Sequence, residues 1–344
     1  MYKLLIRPLL FLLAPEKVHH LVVLTLKIAF YLPFARIIAK KIFSVQNSAL
    51  QREIAGLVFP NPVGLAAGFD KNASFYNAIA AFGFGSVEIG TVTPLGQPGN
   101  AKPRLFRLPA DKALINRMGF NNLGLEAAKK QLSKKRSIII GCNIGKNTLT
   151  PNEKAYSDYL TCFEGLYAHV DYFVVNVSCP NISDLHKLQD QDMLEQILNE
   201  IMASRAQKVF KKPVFLKISP DLNSHQVDET LAIVQKTAID GLVISNTTVS
   251  REGLITPEGT IRSIGNGGLS GLPIRDRSTA LIRYVAEKTN HQLPIIGVGG
   301  ILSPADAIEK LKAGASLVQI YTGFIYEGPF LVKRINRAIL NQGL

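Results

Sequence analysis

The sequence predicts an α/β protein of the (β/α)8 TIM-barrel class with a small helical N-terminal element, and three observations predict it. After residue 44 the chain alternates short apolar runs with helical stretches. The runs are apolar throughout, which is typical of parallel strands buried on both faces. Eight such runs occur, and eight parallel strands close a barrel of this class. We therefore expect residues 44–344 to form the barrel and residues 1–43 to form the separate element.

The eight predicted strands extend over the whole barrel region. They are residues 63–68, 86–93, 137–145, 172–179, 213–219, 241–248, 293–300 and 316–323. Two stretches outside the alternation, 52–62 and 104–120, are predicted as hairpins. A doubly wound open sheet is the rival architecture, but no GxGxxG motif stands at a first strand–helix turn.

Two helix starts are marked by their capping residues. Ser303, followed by Pro304 and Asp306, predicts a helix that begins with a capping box, and Gly314 is placed to end it. Ser224 is predicted to cap the helix that follows the fifth strand.

The N-terminal element is apolar and is divided by prolines. Pro8, Pro15 and Pro33 separate two or three short helices. The apolar run 21–34 is too short to span a membrane, because a spanning helix needs about 20 apolar residues. It also lacks the cleavage site of a secretory signal.

The charge pattern of this element suits the surface of an anionic membrane. Apolar residues recur at helical spacing, and cations lie on other faces where lipid phosphates are in reach. The apolar set is Phe34, Ile37, Ile38 and Ile42, and the cationic set is Lys17, His20, Lys27, Arg36 and Lys40. We expect a peripheral protein on the cytoplasmic face of the inner membrane; a helical cap packed on its own barrel is the alternative.

Composition narrows the possible partners. The net charge of +13 suits nucleic acid, an anionic membrane or anionic ligands. Trp is absent and no Lys/Arg-rich block stands out, so no nucleic-acid partner is predicted. The three cysteines show no CxxC spacing, which argues against disulfides and structural zinc and predicts no metal. No obligate protein partner is indicated, and a monomer is expected.

Polar residues collect at the carboxyl ends of the predicted strands, where barrel enzymes place their active sites. Scattered structural polar groups are the alternative interpretation, but buried amides and lysines are costly without partners. The strand-end residues are Asp70, Lys71, Thr91, Thr93, Asn143, Asn176, Ser178, Cys179, Lys217, Ser245, Asn246, Thr247, Gly299, Gly300, Tyr321 and Thr322.

Some roles follow from residue type. Gly299-Gly300 and Tyr321-Thr322 fit the phosphate site that barrels build after strands seven and eight. Lys217 places a cation where it would stabilise an anionic reduced flavin, or else forms an internal ion pair.

The second ligand is predicted from an asparagine-rich set. Uncharged amide groups suit a planar ligand with amide edges, such as a pyrimidine, and Lys71 adds a cation for a ligand carboxylate. The amides are Asn116, Asn176, Asn181 and Asn246. Cys179 follows a strand end and is a candidate proton acceptor or an inert small residue. Cys142 and Cys162 are predicted to be packing residues.

Six motifs together resemble the dihydroorotate dehydrogenase family. They are residues 66–71 (AAGFDK), 88–94 (EIGTVTP), 116–122 (NRMGFNN), 143–147 (NIGKN), 176–181 (NVSCPN) and 267–271 (GGLSG). The resemblance runs in order from the N-terminal helices to Gly328, and the segment 15–19 (PEKVH) resembles class 2, the quinone-linked branch.

The resemblance implies the oxidation of dihydroorotate to orotate in pyrimidine synthesis, with FMN as cofactor and a membrane quinone as acceptor. Cys179 would be the catalytic base. The residues implied for FMN are Ala67, Gly68, Phe69, Asp70, Lys71, Thr91, Asn143, Asn176, Lys217, Ser245, Gly271, Gly300, Tyr321 and Thr322. Those implied for the substrate are Lys71, Asn116, Arg117, Met118, Gly119, Phe120, Asn176, Asn181, Asn246 and Thr247. His19 and Arg107 match positions near the quinone tunnel.

Two positions depart from the class 2 pattern. Cys179 stands where class 2 members carry Ser, as in the soluble class 1, and Ser245 stands where Thr is common. Cys179 leaves open a soluble, class 1-like enzyme that reduces fumarate. The positive charge leaves open a flavin-dependent tRNA dihydrouridine synthase, although no added RNA-binding domain is visible. A non-catalytic membrane-bound flavoprotein scaffold is the third alternative, and the full set of strand-end polar groups argues against it.

Overall fold

The computed structural model describes residues 2–177 and 191–344, and its centre is a closed barrel of eight parallel strands. The strands are β1 (Val63–Asp70), β2 (Ser86–Val92), β3 (Ile139–Ile144), β4 (Tyr172–Asn176), β5 (Val214–Ile218), β6 (Gly241–Ile244), β7 (Ile295–Val298) and β8 (Leu317–Ile320). Each strand pairs with the next, and β8 pairs with β1 to close the sheet. The predicted TIM barrel is thus confirmed.

The barrel strands are buried because helices cover the outside and side chains fill the inside. Every residue of β2, β4 and β5 is buried, as the unbroken apolar runs predict. A few polar side chains nevertheless lie inside these strands, among them Glu88, Asn143, Lys217 and Gln319.

Thirteen α-helices occur among the described residues. They are α1 (Arg7–Phe11), α2 (Pro15–Ala29), α3 (Pro33–Phe43), α4 (Tyr76–Ile79), α5 (Leu125–Leu132), α6 (Ala155–Leu166), α7 (Gln191–Ala206), α8 (Ser224–Thr237), α9 (Glu258–Ile264), α10 (Arg275–Lys288), α11 (Pro304–Lys312), α12 (Thr322–Glu327) and α13 (Phe330–Gln342). A π-helix, Tyr2–Ile6, precedes α1, and short 3-10 turns lie at Ser48–Leu50, Ala80–Phe82, Asn152–Lys154 and Leu272–Ile274.

The two capping predictions had different outcomes. Ser303 and Asp306 form the predicted capping box at the start of α11. At α8 the prediction was wrong by one residue: Asn223 is the cap, in a reciprocal box with Gln226, and Ser224 is the first helical residue. Asn223 takes this role because its side-chain oxygen reaches the backbone N–H of Gln226, at 2.9 Å.

Both predicted hairpins are present. Arg52–Ile54 pairs with Leu57–Phe59, and Leu105–Leu108 pairs with Ala113–Asn116. The second hairpin gains a third antiparallel strand, Gly268–Gly271, so that residues far apart in the chain form one small sheet. A further antiparallel pair joins Leu95–Gln97 to Asn122–Gly124.

The N-terminal element consists of the π-helix and α1–α3. Pro15 and Pro33 begin separate helices as predicted, whereas Pro8 lies within the continuous run of the π-helix and α1 and does not divide it. Its last helix ends at Phe43, whose ring packs on Phe82 with centroids 5.2 Å apart. The opposite faces are exposed: α2 has no buried residue. Fifteen described large apolar side chains are exposed here, namely Leu4, Leu5, Ile6, Leu9, Leu12, Leu13, Leu21, Leu24, Ile28, Tyr31, Leu32, Phe34, Ile37, Ile38 and Ile42.

Within the described residues, no individual helix has the length and apolar composition needed to cross a bilayer. The segments Pro15–Ala29 and Phe34–Phe43 reach that length only together, and they bend by 117° where they meet.

The start of the chain is fastened to α12. The Tyr2 hydroxyl donates to the Ile325 carbonyl at 2.6 Å, and Lys3 forms an ion pair with Glu327 at 2.5 Å. Arg7 donates to the Tyr326 carbonyl at 3.0 Å. The N-terminal element therefore holds the far end of a helix whose first residue, Thr322, follows the last barrel strand.

Candidate functional site

A cavity opens at the carboxyl ends of the barrel strands, and most of the predicted site residues line it. Of the predicted set, the lining contains Ala67, Gly68, Lys71, Thr91, Asn116, Met118, Gly119, Phe120, Asn176, Lys217, Ser245, Asn246, Thr247, Gly271, Gly300, Tyr321 and Thr322. These residues come from all parts of the chain between β1 and α12. Their convergence is the arrangement that a barrel enzyme uses to build its site from strand ends.

One side of this cavity is built from backbone. Gly299 and Gly300 follow β7 with φ angles of +123° and +70°, and α12 begins beside them at Thr322. A Cβ at Gly300 would lie 2.3 Å from the Cα of Arg275, so only glycine fits this turn. Glycine turns and the unpaired N–H groups of a helix start are the donor set that suits a phosphate group.

The floor of the cavity is a network of amides and hydroxyls. The Thr91 hydroxyl donates to Asn143 Oδ1 at 2.6 Å, and Asn176 Nδ2 donates to the same oxygen at 3.0 Å. Asn246 Nδ2 in turn donates to Asn176 Oδ1 at 3.3 Å. Lys217 lies on β5 in register with Asn176, is 6% exposed and also lines the cavity. The site thus combines one buried cation with neutral groups of fixed orientation.

Lys71 stands on the rim with the loop 116–122. Its Nζ donates to Asn121 Oδ1 at 2.5 Å, and Asn116 Nδ2 donates to the Gly268 carbonyl at 3.2 Å. Arg117 turns away from the cavity: its guanidinium donates to the backbone carbonyls of Ile264 and Pro103 and lies over the Phe106 ring. The structure therefore does not bring the Arg117 side chain together with the other predicted substrate residues.

Three residues predicted around FMN also lie outside this lining. Asn143 does not line the cavity, but it accepts a hydrogen bond from Thr91 and donates one to Glu88. Asp70 is 1% exposed and accepts from the backbone N–H groups of Ser74 and Phe75, at 2.7 and 2.9 Å. Burial raises the pKa of this carboxyl, and the backbone hydrogen bonds oppose that rise. Asp70 thus holds the turn after β1, and Phe69 faces a second cavity.

The second cavity, of about 440 Å³, lies between the N-terminal helices and the barrel mouth. Its walls are mostly apolar, and His19 and Arg107 both line it, as the tunnel prediction requires. The His19 ring packs edge-on against Phe69 and Phe75, with centroids 5.3 and 5.8 Å away. Burial, assisted by the charges of His20 and Lys71, lowers the pKa of His19 to about 4. His19 is therefore neutral at physiological pH.

Arg107 links the second cavity to the N-terminal segment. Its Nη1 donates to the carbonyl oxygens of Leu13, at 2.7 Å, and Phe11, at 3.4 Å. Its guanidinium carbon also lies 4.4 Å from the centre of the Phe11 ring. Partial burial lowers the pKa of Arg107, but it leaves the side chain a cation.

The two cavities have a common wall. Six residues line both, namely Gly68, Lys71, Leu105, Leu114, Met118 and Tyr321. A flat group lying along this wall would be reached from either side. Sequence reasoning missed Leu105 and Leu114, because apolar residues in a hairpin read as packing, and it missed Gln319 within a buried strand.

Two predicted site residues, Cys179 and Asn181, lie outside the described residues. The other cysteines are buried, with no exposure of Cys142 or Cys162, and burial raises the pKa of both thiols. Their predicted packing role is confirmed. In the described ranges 2–177 and 191–344, no three His, Cys, Asp or Glu side chains converge as metal ligands would.

Taken together, the fold and the paired cavities define a TIM-barrel enzyme with its site at the carboxyl ends of the strands. A family model described as "Dihydroorotate dehydrogenase" matches residues 49–342. Dihydroorotate dehydrogenase (quinone) of Christiangramia forsetii is 53% identical over 344 residues, covering 100% of both chains. The protein of the same name from Cellvibrio japonicus is 47% identical over 334 residues, 95% of each chain.

A solved structure agrees with these relatives. The crystal structure of DHODH in complex with ferulenol from Eimeria tenella has a TM-score of 0.86 and 36% identity, covering 95% of this chain and 91% of that one. The chain therefore belongs to the dihydroorotate dehydrogenase family, in its quinone-linked class 2, which is a family of flavin-dependent oxidoreductases. The fumarate-linked and tRNA-modifying alternatives are not favoured.

Proposed function

We propose that this protein oxidises (S)-dihydroorotate to orotate in pyrimidine synthesis, with FMN in the first cavity and a membrane quinone in the second. The single observation that carries the proposal is the common wall of the two cavities. A flavin along that wall would exchange electrons with a substrate on one side and a quinone on the other. This arrangement accounts for both the polar cavity and the apolar one.

The residues of the first cavity fit FMN. The Gly299-Gly300 turn and the start of α12 would hold its phosphate, and Lys217 would place its cation against the ring. Thr91, Ser245 and Gly271 add hydroxyl and backbone contacts from the same lining. The chemistry supplied by a bound flavin would be acceptance of a hydride from the substrate and transfer of electrons to the acceptor.

The substrate would lie over the polar half of the cavity. Lys71 would bind its carboxylate, and the amides of Asn116, Asn176 and Asn246 would bind the ring edges. We assign Cys179 as the base that takes the proton from C5 as the hydride leaves C6. Polarisation of the ring carbonyls by the neighbouring donors makes this C–H bond more acidic.

The second cavity and the N-terminal helices would serve the acceptor. The quinone is apolar, so a mostly apolar cavity lined by α1 and α2 would give it a route from the bilayer. His19 and Arg107 would contact its polar head. The exposed apolar side chains and the net charge of +13 support docking to an anionic membrane. We further propose that the protein docks on the cytoplasmic face as a peripheral monomer.

A direct experiment tests the proposal. Purified protein is expected to be yellow and to lose its visible absorbance when dihydroorotate is added without oxygen. Absorbance should return on adding a quinone and not on adding fumarate. Protein that stays oxidised with dihydroorotate would contradict the activity, whereas reoxidation by fumarate alone would contradict the acceptor.

A further inference from the structure

A buried carboxylate stands at the start of the polar network under the first cavity. Glu88 has no exposed surface and lies outside the lining of both cavities. Its Oε1 accepts from Asn143 Nδ2, and its Oε2 accepts from Gln319 Nε2, both at 2.8 Å. A carboxylate can only accept hydrogen bonds, so both facing amides must turn their nitrogen atoms toward it.

The orientation of Asn143 fixes the orientation of the next amide. Because its nitrogen faces Glu88, its Oδ1 faces the floor and accepts from Thr91 Oγ1 at 2.6 Å and from Asn176 Nδ2 at 3.0 Å. Asn176 Nδ2 also lies 3.3 Å from Thr91 Oγ1 as a donor. Both amide hydrogens of Asn176 are thereby directed into the network and away from the cavity.

The remaining group of Asn176 is its carbonyl oxygen. This Oδ1 accepts one hydrogen bond, from Asn246 Nδ2 at 3.3 Å, and an amide oxygen has two lone pairs. Asn176 is 5% exposed and lines the cavity, so its second lone pair is what it offers to a ligand. The orientation that Glu88 imposes on Asn143 therefore determines that the oxygen of Asn176, and not its nitrogen, faces the cavity.

We propose that Glu88 is a positioning residue that fixes Asn176 as a hydrogen-bond acceptor for a ring N–H of the pyrimidine ligand. This inference rests on the proposed function, because it specifies which edge of the substrate the same site reads. The carboxylate acts only through Asn143. Reversing the polarity at Glu88 or Asn143 would turn the Asn176 nitrogen toward the ring N–H, and the ligand would meet a donor where it needs an acceptor.

Two variants of Glu88 test the inference. Glu88→Met removes the acceptor that holds Asn143 Nδ2, so Asn143, and with it Asn176, is free to turn. Glu88→Gln keeps an acceptor for Asn143, because the buried and unpartnered Gln319 Oε1 can turn to accept from the new amide nitrogen. Tyr172→Phe is the matched control, because the Tyr172 hydroxyl contacts Gln319 at 3.4 Å within the same buried network and lines neither cavity.

The measurements are made on flavin-loaded protein: the Kd of orotate by calorimetry, the Kd of N-methylated orotates, the flavin content and the Tm. We expect Glu88→Met to weaken orotate at least about tenfold and to reduce discrimination against N-methylated orotates, because a donor then meets the ring N–H. Glu88→Gln should stay within about threefold of wild type. Tyr172→Phe should bind orotate as wild type does.

Several results would overturn the inference. One is folded, flavin-loaded Glu88→Met protein that binds and discriminates like wild type; another is Glu88→Gln protein that loses orotate as strongly as Glu88→Met does. If Glu88→Met does not fold, Asn143→Leu decides, because it removes the oxygen that accepts from Asn176 Nδ2. Unchanged orotate binding in flavin-loaded Asn143→Leu protein would then contradict the inference. Wild type that fails to bind orotate would instead contradict the proposed function.

Discussion

The barrel strands and the N-terminal helices use apolar residues in opposite ways. In β2, β4 and β5 every side chain is buried, whereas α2 has no buried residue. Ile37 and Ile38 in α3 are 58% and 52% exposed, but Ile89 and Ile244 in the barrel are fully buried. The barrel uses its apolar surface to build a rigid scaffold, while the helices leave much of theirs exposed, which supports the proposed docking to a membrane.

We expect three groups of residues to have different effects when they are changed. Changes at the barrel mouth should affect chemistry with little effect on membrane binding. Changes on the exposed helical faces should do the reverse, and residues of the second cavity should affect only the acceptor half of the reaction.

The largest effect is expected at Cys179. Replacing Cys179 with Ala should slow flavin reduction by dihydroorotate about 10²- to 10⁴-fold, because a general base is lost, while flavin stays bound. Stopped-flow absorbance measures the rate. In the wild type this step should also slow as the pH falls below the pKa of the thiol, because a protonated thiol cannot act as the base. A variant that reduces its flavin at the normal rate would remove Cys179 from the mechanism.

The next effect concerns the exposed helical face. The double substitution Ile37→Glu and Ile38→Glu should weaken binding to anionic vesicles about tenfold to 100-fold, because apolar burial is lost and charge is repelled. Vesicle co-sedimentation measures it, and turnover with a short-chain quinone should be unchanged. Val209→Glu with Phe210→Glu is the control, since these apolar residues are 89% and 81% exposed and lie outside the N-terminal element. Equal losses in both pairs would contradict a specific docking face.

A smaller effect is expected in the second cavity. Arg107→Leu removes the donor that holds the Phe11 and Leu13 carbonyls and the cation facing the cavity. The KM for quinone should rise about tenfold, while reduction by dihydroorotate keeps its rate. Steady-state and single-turnover assays distinguish the two halves. If Arg107→Leu changed only the rate of flavin reduction by dihydroorotate, the assignment of Arg107 to the quinone site would be wrong.

The smallest effect is a pH dependence of stability from His19. Its folded-state pKa of about 4 lies below the ordinary value of 6.5, so between these values the unfolded chain binds more protons. Its contribution to stability is complete above about pH 6.5 and is lost as the pH falls toward 4. Replacing His19 with Phe should flatten the fall of Tm over this window by several degrees. Parallel curves for variant and wild type would show that His19 does not titrate there.

Most of the scaffold could be predicted because its signals are local. Eight apolar runs mark the strands, and Ser303 with Asp306 marks a helix start within four residues. The error at Ser224 is also local, since two neighbouring residues can both cap and only geometry chooses Asn223.

The unpredicted parts of the site depend on distant contacts. Nothing in the sequence says that the Arg117 guanidinium binds the Ile264 carbonyl, 147 residues away. Likewise Glu88 and Gln319, separated by 231 residues, meet only because β8 closes on β1 beside β2. The roles proposed for individual residues at the cavities remain predictions.

The wall between the two cavities also predicts how the two ligands affect each other's binding. If dihydroorotate binds in the first cavity and the quinone in the second, neither ligand has to leave before the other enters. Each should then inhibit the binding of the other only weakly. A compound lodged between Phe11 and Phe75 would then compete with quinone and leave orotate free to bind. Drug-sized inhibitors that bind the apolar second cavity therefore need no resemblance to a pyrimidine.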